Sequence, residues 1–181
     1  DIQESKILKI EIEEAIKKVN RDIFNFSNTN EILSGMGTTV TACFITENFI
    51  HVANVGDSCC LGIKNNEIRK ITKDHSLVQE LVDSGDISEK EAENHPKKNI
   101  ITRALGTSST VDVDVFELEN NEYELYMLCS DGLTNELTKE EILQVVTEER
   151  DYVNSANKLV SLAKEKGGRD NITVLLFGGD I

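Results

Sequence analysis

The chain has 181 residues, enough for one domain with a real core, and 39% apolar against 29% charged residues marks a soluble globular protein rather than a disordered one. Its formal net charge of −14 argues against nucleic acid or an anionic membrane as a partner, because both need a surface rich in Lys and Arg. No apolar run approaches the roughly 18 residues of a membrane-spanning helix. The first twenty residues, DIQESKILKIEIEEAIKKVN, contain no apolar signal core, so a cytoplasmic location is expected. The four cysteines (Cys43, Cys59, Cys60, Cys129) show no CxxC spacing and are expected as reduced thiols. The three histidines (His51, His75, His95) are not spaced as a zinc ligand set.

In chain order, residues 3 to 26 carry helical period, with Ile7, Ile10, Ile12, Ala15, Ile16, Val19, Ile23 and Phe24 forming an apolar stripe among Lys and Glu. Ser27 to Asn30 ends that helix with turn chemistry. Thr38 to Ile45 and Phe49 to Val55 read as strands joined through Glu47-Asn48. Cys59 to Ile63 and Glu67 to Ile71 read as a second hairpin around Asn65-Asn66. Ser76 to Ser84 is helical in pattern, with Ser76 as a cap, and Gly85 stops it. Ser88 and Glu91 form a capping box for a short helix that ends before Pro96. Val111 to Leu118 alternates apolar with acidic, which predicts a strand with one wet face carrying Asp112 and Asp114. Glu124 to Cys129 predicts a buried strand, with Cys129 as a core thiol. Capped helices are predicted from Thr138 to about Val146 and from Val153 to Lys166, followed by a buried strand over Ile172 to Phe177. Strands mostly adjoin strands, so antiparallel sheets with helices outside are expected.

Two aspartates stand out. Asp131 follows a strand and precedes Gly132, and Asp170 follows two glycines and precedes a strand. Strand ends are rigid mounts for ligating groups. Two carboxylates held close repel each other unless a cation sits between them, and a hard cation such as Mg²⁺ or Mn²⁺ takes oxygen ligands. From spacing alone, plain turn chemistry is the commoner reason for an Asp beside Gly.

The words around these residues decide between the two. LCSDGL at 128–133, GGRDNIT at 167–173, GMGTTVTA at 35–42, NVGDS at 54–58 and the long stretch from ITKDHSLV to NIITRALG at 71–106 stand in one order. Together they resemble the PPM or PP2C family of metal-dependent protein serine/threonine phosphatases, in its bacterial branch. The resemblance implies an α+β fold of two antiparallel β-sheets packed as a sandwich flanked by α-helices. It implies a single domain over residues 1–181 with a helical flap at about 74–103. It implies Asp131 and Asp170 as ligands of a pair of Mn²⁺ or Mg²⁺ ions, and Asp74 as a ligand of a third at the flap. Asn171 and Gly132 support the ligands, Asp57 braces a turn, and Arg103 and His75 are candidate substrate or flap contacts. His75 is also a candidate cap for the flap helix, and Arg103 a candidate for an internal ion pair. The implied reaction is hydrolysis of phosphoserine and phosphothreonine in proteins by a metal-activated water. The implied partners are phosphorylated proteins, among them the targets of an opposing bacterial Ser/Thr kinase.

The chain departs from the family pattern in three places. No DGMGG loop precedes the first helix, and the acidic pair and phosphate-binding Arg that accompany it are also missing from the sequence, which is therefore expected to lack the family's N-terminal segment. SGMG at 34–37 offers Ser34 rather than a carboxylate, so it reads as a strand entry. Cys59 stands where the family often has Arg after GDS. The first two departures leave a second expectation open, a phosphatase-like binding or regulatory module without activity.

Overall fold

The long first helix, α1 (Ile2–Ser27), buries one row of its surface. Ile12 and Ile16 are buried, Leu8 and Ile23 pack beside them, and the same core holds Ala53, Val55 and Leu105. The row has the i, i+4 spacing of a single helix face. The apolar stripe of the sequence is wider than this face: Ile7, Ile10 and Val19 are exposed. Asn20 is a buried polar residue on the inward row and is fully satisfied. Its amide donates to the Ser108 carbonyl at 3.0 Å, and its carbonyl accepts the Gly106 N–H at 2.8 Å. An unpaired amide there would be costly, so Asn20 fixes α1 against the 103–108 segment.

The computed structural model describes residues 2–29, 31–149 and 151–178, so Asn30 of the predicted turn lies outside the described residues. The described strands are β1 (Val40–Ile45), β2 (Phe49–Val55), β3 (Cys59–Lys64), β4 (Glu67–Lys70), β5 (Asp114–Glu119), β6 (Leu125–Cys129) and β7 (Val174–Gly178). They form two sheets, ordered β1-β2-β5 and β4-β3-β6-β7. The helices are α1, α2 (Leu77–Ser84), α3 (Glu89–Glu93), α4 (Asp131–Thr134), α5 (Lys139–Glu149) and α6 (Tyr152–Glu165). The chain divides into two compact units. One comprises residues 1–42, 53–57 and 73–115, and the other residues 43–52, 58–72 and 116–181.

In the first unit, α2 and α3 carry the expected end chemistry. The Ser76 hydroxyl accepts the Gln79 N–H, Gly85 closes α2 at φ +80°, and Ser88 with Glu91 completes a capping box. In the second unit, residues of both sheets share a core of Ile50, Val52, Cys60 and Tyr126, against which Phe116, Leu118 and Phe177 pack. On the other face of the four-stranded sheet, α5 and α6 supply Ile142, Val145 and Leu159 to a core with Leu61, Met127 and Leu133. The β3–β4 turn has Asn65 and Asn66 at φ +52° and +59°, the paired left-handed conformations that match a hairpin's twist. Cys59 and Cys129 are register partners with sulfurs 3.6 Å apart. Their mutual hydrogen bond, then burial, pushes the Cys129 thiol well up, which makes it an inert core thiol.

Two strand expectations need correction. β5 begins at Asp114 rather than Val111. β7 is not a buried strand: among the described residues it pairs with β6 alone, and Leu175 is 51% exposed. A run of apolar residues reads as buried by composition, but one flank of an edge strand stays open.

Leu159 is wholly buried, with 0% accessible surface, in the core that α5 and α6 form with the four-stranded sheet. Leu159→Ala is expected to lower unfolding free energy by about 2–5 kcal/mol, read from urea denaturation.

Candidate metal centre

Ser130 sets the geometry of the second unit's site. Its backbone N–H donates to the Thr173 carbonyl at 3.2 Å, its hydroxyl donates to the Asn171 carbonyl at 2.9 Å, and its oxygen accepts the Thr173 N–H at 3.0 Å. These three bonds pin the end of β6 to the entry of β7. Asp131 follows Ser130 directly and opens α4; Asp170 precedes Asn171 directly. The clasp therefore brings the two aspartate-bearing stretches side by side. Gly132 permits this approach, because a Cβ there would stand 2.3 Å from the Asn171 carbonyl oxygen.

Each carboxylate is oriented locally. The Asn135 amide donates to Asp131 Oδ2 at 3.0 Å, four residues along the turn. The Asn171 backbone N–H donates to Asp170 Oδ1 at 2.6 Å, so the contact of Asn171 with the aspartate runs through its main chain. Asp170 is exposed and, with Val160, Lys164, Arg169 and Ile172, lines an open depression of about 490 Å³. The donor set is oxygen alone, which suits a hard divalent cation. Among the described residues no group of three or more His, Cys, Asp or Glu converges. Asp131 and Asp170 are two oxygen donors of the kind such a cation takes, on stretches joined by the Ser130 clasp; Asp170 lines the depression and Asp131 opens the adjoining α4.

The remaining candidates lie in the first unit. His75 is 6% exposed, and its Nδ1 accepts the Gly56 N–H at 3.0 Å. That bond assigns the ring's proton to Nε2, which lies 3.2 Å from Asp114 Oδ2. Arg103 Nη1 lies 3.0 Å from the same Nε2, donates to Asp114 Oδ1 at 3.0 Å, and donates to the Asp112 carbonyl at 3.2 Å. Burial pushes the Asp114 carboxyl up, but His75 and Arg103 together outweigh it and hold the group below the usual carboxylate range. His75 does not cap the flap helix, since Ser76 does. Asp114 is not merely the wet face of a strand but the shared acceptor of His75 and Arg103. Asp57 follows Gly56 in the turn after β2, and half-buried Asp74 precedes His75. The structure thus brings together Asp131, Gly132, Asp170 and Asn171 in one unit, and Asp57, Asp74, His75 and Arg103 in the other.

Sequence reasoning missed Ser130, Asn135, Glu136, Arg169 and Asp114. Ser130 carried a signal, a hydroxyl residue immediately before a helix start, and Asn135 stood at helical spacing from Asp131. The contact of Glu136 with Arg169 spans 33 positions and has no local signature.

Known proteins similar to this chain identify its family. The family profile "Protein phosphatase 2C" matches residues 2–81. Serine/threonine phosphatase stp of Listeria monocytogenes serotype 4b is 40% identical over 170 residues, covering 94% of this chain and 68% of that protein. Protein phosphatase PhpP of Streptococcus pneumoniae serotype 2 is 41% identical over 149 residues, covering 81% and 60%. The crystal structure of serine/threonine phosphatase Stp1 from Staphylococcus aureus superposes with a TM-score of 0.90 at 35% identity, covering 94% of this chain and 67% of that one. The catalytic domain of the phosphatase PstP, solved in complex with 2 manganese ions, gives a TM-score of 0.78 at 32% identity, covering 92% and 69%. The chain belongs to the protein phosphatase 2C family. It spans about two thirds of the length of the relatives it matches, between 60% and 69% in these four.

Two outcomes test the geometry. Gly132→Ala must push the Asn171 carbonyl away and is expected to weaken Mn²⁺ binding by on the order of tenfold, measured by titration calorimetry. The depressed Asp114 carboxyl contributes stability that is present above the ordinary Asp value of about 3.9 and is lost as pH falls through its lower folded value. Asp114→Asn is therefore expected to flatten the acid limb of the stability–pH profile, read by thermal melts between about pH 2 and 5.

Proposed function

We propose that this chain hydrolyses phosphoserine and phosphothreonine in proteins, with Asp131 and Asp170 as the carboxylates that hold the catalytic cation. The observation that carries the reading is the Ser130 clasp, which sets the two aspartates on adjoining stretches in a member of this family. A bound Mn²⁺ or Mg²⁺ would neutralise phosphate oxygens and make water nucleophilic near neutral pH.

The chain's own residues supply the positioning. Asn135 and the Asn171 N–H take up lone pairs of Asp131 and Asp170 and so fix which carboxylate edges face outward. Their orientation is set before a ligand arrives, which spares reorganisation at the moment of reaction. Lys164 lines the depression beside Asp170, a cationic group in a chain of net charge −14 that would otherwise repel a phosphate dianion. Asp74 is proposed as a ligand of a further cation, and the segment 74–103, with α2 and α3, as the flap that governs substrate access. His75 and Arg103, at the two ends of that segment, are tied through Asp114, which accepts from both, a role in flap orientation rather than in the chemical step. Asp57 braces the turn at Gly56 to which His75 is bound.

The partners proposed are phosphoproteins, including the substrates of an opposing bacterial Ser/Thr kinase. No helix among the described residues is long and apolar enough to cross a membrane, which is compatible with the proposed cytoplasmic location.

The test is hydrolysis of a phosphothreonine peptide followed by phosphate release, with Mn²⁺ present or chelated. The expected result is a Mn²⁺-dependent rate that falls by at least about a hundredfold in Asp131→Ala and in Asp170→Ala. No Mn²⁺-dependent rate, or one that both substitutions leave untouched, contradicts the proposal.

A further inference from the structure

Glu136 is a buried carboxylate that neither the fold nor the proposed chemistry explains. It sits just past α4, on the same turn as Asp131, with its side chain 3% exposed. It holds Arg169 by a two-pronged contact, Nε to Oε1 at 2.8 Å and Nη2 to Oε2 at 3.1 Å, and it also accepts the Arg169 backbone N–H at 3.4 Å. Arg169 itself is 74% exposed. A single exposed ion pair would be weak, but this contact is two-pronged and is joined by the Arg169 backbone N–H, which fixes the direction of the guanidinium.

Arg169 is the residue immediately before Asp170, and both line the same depression. A guanidinium freed from Glu136 would have Asp170 as a carboxylate within the same loop, and bidentate pairing with a carboxylate is what its shape favours. Such a pairing would occupy the oxygens that a divalent cation needs and would place a like charge beside it.

We propose that Glu136 is a positioning residue that sequesters Arg169 and so keeps Asp170 open to a divalent cation. The inference rests on the reading of Asp131 and Asp170 as cation ligands. It differs from a simple brace in what it requires of Arg169. If the ion pair only stiffens the loop, losing either partner does equal harm. If Glu136 acts as a guard, losing Glu136 does harm, losing Arg169 does not, and losing both restores binding.

The experiment is Mn²⁺ titration of the 181-residue chain followed by the electron paramagnetic resonance signal of the free ion. Circular dichroism confirms that each variant is folded. Glu136→Gln is expected to weaken Mn²⁺ binding by on the order of tenfold. Arg169→Gln is expected to bind at least as tightly as the unsubstituted chain, and the double variant to return to within about twofold of it. Equal weakening by the two single substitutions, without recovery in the double, overturns the proposal. So does Glu136→Gln binding as the parent does. Should Glu136→Gln fail to fold, Arg169→Gln decides alone, and weaker binding in that variant overturns the proposal. Asp170→Asn separates the two levels of the argument. If it abolishes binding while the guard pattern is missing, the guard alone is wrong. If no variant and not the parent binds Mn²⁺, the cation site falls and the guard with it.

Discussion

The hydroxyl of Ser130 is the hinge on which the candidate site depends. It donates to one carbonyl and accepts one N–H of the 171–173 segment, while its own backbone N–H closes a third bond. A hydroxyl is the smallest side chain that can do both at once. The result joins two stretches that carry aspartates 39 positions apart, Asp131 and Asp170, at the ends of hydrogen-bonded strands. Sheet geometry then does what a flexible loop could not, since β6 and β7 are locked in register from Leu125–Gly178 to Cys129–Val174. The glycine at 132 is a consequence of the same closeness rather than an independent feature.

A second organising device runs through the first unit, where Asn20 and His75 are buried together with their partners. Asn20 spends both ends of its amide on the 106–108 segment, and His75 spends Nδ1 on the Gly56 N–H. Arg103 and Asp114 complete the set around His75 Nε2. Each of these contacts ties residues distant in sequence: α1 to residues 106–108, just past the proposed flap, and the β2 turn to its beginning. The flap segment is thus anchored at both ends by groups whose loss would leave a buried donor or acceptor unmet, while α2 and α3 between the anchors bury no residue. That contrast between fixed ends and a lightly held middle suits the access role proposed for the segment.

Much of this was legible in the residues. The Ser76 cap, the Ser88–Glu91 box and the Asn65-Asn66 hairpin follow from local rules, because each involves neighbours within a few positions. The aspartates beside glycine were visible, and five ordered motifs carried the family. What was not legible is the long-range pairing. Nothing near Asp114 announces His75 or Arg103, and nothing near Glu136 announces Arg169, since these partners meet only after the sheets form. The burial of β7 was misread for a related reason. Composition reports how apolar a strand is, but not whether a neighbour lies on both of its flanks.

The central claim is that the Ser130 clasp creates one divalent-cation site at Asp131 and Asp170. Its most direct test is paramagnetic broadening by Mn²⁺ in the amide NMR spectrum of the ¹⁵N-labelled chain. The account predicts that substoichiometric Mn²⁺ selectively erases the amide signals of residues 131–132 and 169–171 before those of the β3–β4 hairpin, and that Ser130→Ala spreads or abolishes the effect. Broadening scattered over the acidic surface, or centred away from these residues and unchanged in Ser130→Ala, would contradict it.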